Sequence, residues 1–131
     1  MFAPNTKILV VDDMLTMRKL VGKALKELGF SNISEAADGA VGWETFSTAT
    51  PAFDLVISDW NMPVSTGIDF LKRVRGDSRF KTVPFLLLTA ETEASQVTTA
   101  LAAGASGYVV KPFNTVALGS QLEKIAARIA A

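Results

Sequence analysis

The stretch Lys7-Ile8-Leu9-Val10-Val11-Asp12-Asp13 decides the fold: a short apolar run that ends abruptly on two carboxylates. It shows no polar alternation, so both of its faces must be covered. A strand buried on both faces belongs in the middle of a parallel sheet. Comparable runs recur at Leu55–Ser58 (LVIS), Pro84–Thr89 (PFLLLT) and Gly107–Val110 (GYVV), while Asn32–Ala36 (NISEA) is more polar and suits a sheet edge. The runs end near positions 12, 36, 59, 89 and 111, about 22 to 30 residues apart, and each is followed by a helical pattern. That spacing is one βα unit, too long for hairpins and right for parallel crossovers.

The helices carry signals of their own. Met17, Leu20, Val21, Ala24, Leu25 and Leu28 form one apolar stripe, with Gly29 placed to end the helix in a left-handed conformation. Thr66-Gly67-Ile68-Asp69 has the pattern of a capping box. Leu118, Leu122, Ile125 and Ile129 line a last helix. These elements predict a doubly wound α/β domain: a five-stranded parallel sheet in 2-1-3-4-5 order, with five helices.

Length and composition bound the chemistry. The 131 residues, 49% hydrophobic and 20% charged, suit one globular domain over 1–131 with no effector domain attached. Thirteen basic residues balance thirteen acidic ones, which gives no general attraction to nucleic acid or anionic lipid. The N-terminal residues lack a signal-peptide pattern, and the longest uncharged stretch, Ala94–Val110, is too polar to span a membrane. A cytoplasmic protein is expected. With neither histidine nor cysteine, thiol chemistry, disulfides, histidine bases and His- or Cys-ligated zinc are excluded. Chemistry is left to carboxylates, hydroxyls and amines.

Open α/β sheets bind ligands at the carboxyl ends of their strands, near the point where strand order reverses. There the chain places Asp12 and Asp13 after strand one, Asp59 after strand three, Thr89 after strand four and Lys111 after strand five. Taken singly, Asp13 reads as a helix cap, Thr89 as a capping hydroxyl and Lys111 as a solvated charge. Taken together they converge on one cleft, where each carboxylate pair costs about 3 kcal/mol at roughly 5 Å and an effective dielectric near 20. A purely structural protein gains nothing from that repulsion. Hard oxygen ligands without His or Cys select Mg²⁺, with Mn²⁺ or Ca²⁺ as alternatives. A carboxylate can also be a phosphoryl nucleophile, and the central Asp59 is the best placed. Metal and Lys111 would then neutralise the phosphoryl oxygens.

The segments VVDD (10–13), EAADG (35–39), SDWNMP (58–63), LTAE (88–91) and ASGYVVKPF (105–113) resemble the receiver domain of two-component response regulators. Within that family the chain is similar to the single-domain chemotaxis regulators of the CheY type. The resemblance spans the whole chain and implies a flavodoxin-like fold. It also implies that Asp59 is the phosphoacceptor, and that Asp12, Asp13, Asp59 and the backbone carbonyl of Asn61 hold Mg²⁺ (Mn²⁺ in its place). Thr89 and Lys111 would contact the phosphoryl oxygens, with Lys111–Pro112 in the cis form. Tyr108 would be the second switch residue, and Asn61 and Glu91 would tune dephosphorylation. Such a protein is a phosphoacceptor that promotes its own phosphorylation and dephosphorylation rather than an enzyme acting on a separate substrate. The implied partners are a chemotaxis-type sensor histidine kinase, a target such as a flagellar motor switch protein, and a phosphatase. Neither nucleic acid nor membrane insertion is implied, and the expected state is a monomer. A departure lies at Ser65-Thr66-Gly67, where many relatives read MDG; only local loop effects are expected from it.

Three alternatives share parts of this pattern. A single-domain phosphorelay carrier outside chemotaxis would use the same chemistry. A flavodoxin-like FMN carrier needs a Ser/Thr-rich phosphate loop where Asp12 and Asp13 stand. A phosphohydrolase with an Asp nucleophile would show an Asp-x-Asp motif, which is missing. Trp60, beside the central aspartate, is a natural optical reporter. Arg18, Lys19, Lys23 and Lys26 give the first helix a basic side, read as a solvated face or as a docking surface for an acidic partner.

Overall fold

The computed structural model describes residues 2–60, 62, 65–90 and 94–130, with 94–97 and the last two as backbone only. Strands β1 (Ile8–Val11), β2 (Ile33–Ala36), β3 (Leu55–Asp59), β4 (Phe85–Thr89) and β5 (Gly107–Val110) alternate with helices α1 (Leu15–Glu27), α2 (Gly39–Ser47), α3 (Gly67–Gly76), α4 (Ala94–Ala102) and α5 (Thr115–Ala130). A 3-10 turn, Ser78–Phe80, leads from α3 towards β4. The sheet order is β2-β1-β3-β4-β5, and every pairing is parallel. The polar run predicted for an edge is the edge strand β2.

Period-two alternation splits the strand residues between two cores. Ile8, Val10, Leu55, Ile57, Leu86, Leu88 and Val109 face Val21, Ala24 and Leu25 of α1 and Leu118, Leu122 and Ile125 of α5. Leu9, Val11, Val56, Phe85 and Leu87 face Phe46 of α2, Phe70, Leu71 and Val74 of α3, and Ala100 of α4. Helices on both faces explain why the central strands show no polar alternation.

The helix boundaries follow local chemistry. Gly29 has φ +100°; its N–H donates to Lys26 and that of Phe30 to Leu25 (both 3.0 Å), a Schellman ending that drops Phe30 into the core beside Leu25. Gly104, at φ +99°, ends α4 the same way through Gly104 N–H to Leu101 and Ala105 N–H to Ala100. Thr66 caps α3, its hydroxyl accepting from Asp69 N–H at 3.2 Å.

One stripe residue departs from the sequence reading. Leu20 is 56% exposed and lies on the rim of an open groove beside Phe113. It sits at the margin of the α1 stripe, and the β5–α5 connection leaves it uncovered. The Ile129 side chain lies outside the described residues.

Candidate functional site

Pleat parity aims the site. Asp12 follows Val10 by two positions, Asp59 follows Ile57 and Lys111 follows Val109, so all three continue rows that face α1 and α5. Because β1 and β3 are neighbours, Asp12 and Asp59 end side by side. Ligand oxygens of Asp12, Asp13 and Asp59 lie within 4.8 Å of one another. Lys111 reaches in from β5, its ammonium 2.7 Å from Asp59 Oδ1 and 3.5 Å from Asp12 Oδ2.

The three carboxylates differ in their surroundings. Asp12 is fully buried and Asp13 is exposed, while the Asp59 side chain keeps a 9% opening to solvent. Asp12 Oδ1 accepts from Met14 N–H at 2.9 Å, whereas Oδ2 is buried with no hydrogen-bond donor among the described residues. Burial pushes the Asp12 carboxyl above its ordinary value against the Met14 N–H bond; the Asp59 and Asp13 charges add to the rise and Lys111 opposes it. Asp59 Oδ1 also accepts from Trp60 N–H at 3.0 Å.

An acidic pocket with one orphaned buried oxygen and only oxygen ligands suits a hard divalent cation. Asp12, Asp13 and Asp59 are the residues that would hold it. Asn61 and Glu91 lie outside the described residues.

Asp13 is not the helix cap that it resembles in isolation. The N-cap of α1 is Met14 with no side-chain cap, and it is Asp12 that accepts the Met14 N–H. Released from capping, Asp13 joins the acidic cluster. Lys111 is likewise no solvated charge, since its side chain is only 17% exposed. Thr89 is buried at the end of β4, beside the strand that carries Asp59. Tyr108 is half-buried and pairs with Leu87, so it shares a sheet face with Leu87 and Thr89. The Lys111–Pro112 bond is cis.

Two supporting residues escaped the sequence reading. Arg18, assigned there to a solvated basic side, donates through one terminal nitrogen to the Asp12 carbonyl (2.6 Å) and through Nε to Glu35 (3.0 Å). Lys19 also binds Glu35 at 2.8 Å, which draws the only acid of β2 away from the site. The strand order brings the end of β2 beside the start of α1, and that was the available signal. Gly67 is the second residue. A Cβ there would lie 2.1 Å from the Asp59 carbonyl, so only glycine lets α3 begin against the end of β3.

The chain belongs to the response regulator receiver domain family, whose model matches residues 8–123. Among its relatives, the chemotaxis protein CheY of Pseudomonas aeruginosa is 46% identical over 123 residues, covering 94% of this chain and 98% of that protein. CheY-3 of Vibrio cholerae serotype O1 is 45% identical over 125 residues, 95% of each chain. The structure of the Vibrio cholerae chemotaxis response regulator CheY4 superimposes with a TM-score of 0.84 at 40% identity, covering 92% of this chain and 98% of that one.

Proposed function

We propose that this protein is a two-component phosphoacceptor switch working in chemotaxis, with Asp59 as the residue that is phosphorylated. The observation that carries the reading is the setting of Asp59: central, open to solvent on one side, touched by the Lys111 ammonium and flanked by two further carboxylates.

Asp59 attacks the phosphorus of a phosphohistidine on a partner kinase, or of a small phosphodonor such as acetyl phosphate. A phosphorus–oxygen bond forms to Asp59, and the bond from phosphorus to the leaving group breaks. The leaving group takes the electron pair; a departing imidazole gains a proton from solvent, whereas acetate leaves without one. Lys111 exchanges its bond to the carboxylate for one to a phosphoryl oxygen, and the Thr89 hydroxyl donates to another. Asp12, Asp13, Asp59 and the Asn61 carbonyl would hold Mg²⁺ (or Mn²⁺), whose charge would help to neutralise those oxygens.

Movement of Thr89 towards the phosphoryl group opens space on the face that it shares with Tyr108. The half-buried ring then turns inward and changes the surface that a target reads. The kinase is a sensor histidine kinase and the target is a protein of the flagellar motor switch class. These 131 residues contain no histidine, so the histidine donor lies outside them. Asn61 and Glu91 set the lifetime of the phosphoryl group. The protein acts as a cytoplasmic monomer.

The test is tryptophan fluorescence during a Mg²⁺ titration, followed by acetyl phosphate or beryllofluoride, with Trp43→Phe as the control for the second indole. Trp60 emission should change at both steps, and the acyl-phosphate label should vanish in Asp59→Asn. A flat response, or label surviving in Asp59→Asn, removes Asp59 from the role.

A further inference from the structure

A second pocket, lined by cations, lies at the opposite end of the sheet from Asp59. It is open, about 390 Å³ in volume, and Arg75, Lys81 and Arg128 line it with the hydroxyl residues Thr82 and Ser106 over Ile125. Three cations from three separate parts of the chain therefore converge where no lining residue is acidic.

Their charge is uncompensated. Arg75 donates to the carbonyls of Gly104 (2.9 Å) and Phe80 (3.0 Å) and, at 3.4 Å, to Ser106 Oγ. Arg128 donates to the Ser106 carbonyl at 2.8 Å. Among the described residues none of the three cations forms an ion pair. Neutral carbonyls satisfy hydrogen bonds but leave the positive charge in place, and burial pushes the Arg75 guanidinium down from its ordinary value. Charge around the pocket is concentrated as well: residues 72–81 hold five cations and one carboxylate in a chain that is neutral overall. That carboxylate, Asp77, is taken by Arg79 at 2.8 Å.

Ser106 adds a directional argument. Its Oγ accepts from Arg75 and from Phe85 N–H (3.0 Å), and among the described residues it donates to none, so its proton is available. Arg75 keeps one proton on each terminal nitrogen beyond the bonds it makes, and Arg128 has further donors free.

We propose that this pocket is a binding site for a phosphate-class polyanion, distinct from the phosphoacceptor cleft. Arg75 and Arg128 supply paired N–H donors, Lys81 a point charge, and Ser106 and Thr82 hydroxyl donors. An anion bearing at least two charges matches three cations better than a lone carboxylate. The floor of Ile125 excludes water from one side only, so binding depends on salt.

The test is an amide NMR titration of the full chain with inorganic pyrophosphate in buffer freed of metal by chelating resin, against sodium chloride at equal ionic strength. ADP in a parallel arm distinguishes a nucleotide diphosphate from the bare anion. Saturable shifts should centre on Thr82, Gly104 and Ser106. They should weaken about tenfold in the double variant Lys81→Gln/Arg128→Gln, whose two exposed side chains are replaced without opening the core. An unchanged melting temperature shows that this variant folds. Equal responses to pyrophosphate and chloride, shifts centred on Asp12 and Asp59, or undiminished binding in the double variant would each overturn the site.

Discussion

The two ends of the sheet handle charge in opposite ways. At the carboxyl end, three carboxylates crowd within 4.8 Å and one lysine answers two of them, leaving Asp12 Oδ2 buried without a donor among the described residues. At the amino end, the half-buried Arg75 has no carboxylate partner among the described residues and binds two carbonyls and a hydroxyl. The first end is short of positive charge and the second is short of negative charge. Arg75 therefore uses three of its five N–H donors while its charge is not balanced. At Asp12 neither hydrogen bonding nor charge balance is complete.

Removing the answering cation should have the largest effect. Lys111→Met leaves Asp12 and Asp59 facing each other without an ammonium, and urea unfolding of the metal-free protein should show a loss of about 3 kcal/mol. Excess Mg²⁺ should restore most of it. An unmoved urea midpoint would mean that the lysine does not offset the repulsion.

The corresponding change at the other end should behave differently. Arg75→Gln strips donors from the Gly104 and Phe80 carbonyls, at a cost of about 2 kcal/mol by the same measurement. Here Mg²⁺ should restore nothing beyond the shift that it gives the unaltered protein. Selective recovery of this variant would break the contrast between the ends.

Asp12→Asn should carry the opposite sign. Because the Asp12 carboxyl is raised in the fold above its ordinary value of 3.8, its contribution favours folding below that value and is lost as pH rises through the folded value. At neutral pH the ionised group is a cost. The variant should melt about 4 °C higher than the metal-free parent, corresponding to about 1 kcal/mol. That advantage should shrink as the pH falls through the folded value and be nearly gone below 3.8. Mg²⁺ should stabilise the variant far less than the parent.

The smallest effect belongs to the exposed Asp77–Arg79 pair. Hydrogen bonds from the Arg79 side chain and backbone hold the Asp77 carboxyl down at about 2. Its contribution is present above the ordinary 3.8 and is lost as pH falls through about 2. Asp77→Asn should lower the melting temperature slightly at pH 6, with the difference fading as the pH falls through about 2. Added salt should shrink the difference at pH 6.

Much of the acidic end was legible in the sequence because each of its residues directly follows, or itself ends, a strand that apolar content alone identifies. Once Asp12, Asp59 and Lys111 are placed at strand ends, parallel order brings them together, with Thr89 ending the strand next to that of Asp59. Asp13 was harder, because a carboxylate before a helix has two uses and only the Met14 N–H bond to Asp12 separates them. The basic end was illegible. Arg75, Lys81 and Arg128 come from α3, the segment before β4 and α5, and nothing in their spacing marks a common pocket. Leu20 was misread for a related reason, since a helical stripe has margins whose burial depends on a neighbour that the helix does not encode.

The sequence by itself determined the alternation of strands and helices, the buried character of the central strands, the edge position of β2 and the exclusion of histidine and thiol chemistry. These follow from local pattern and composition, which need no partner. Only the tertiary structure decided which charges meet: Lys111 with Asp59 and Asp12, Arg18 with the Asp12 carbonyl and Glu35, and Arg75 with carbonyls instead of an acid. Side-chain electrostatics act over a few ångströms in space, and residues that lie 52 positions apart along the chain, as Asp59 and Lys111 do, come within that range only after the sheet has formed.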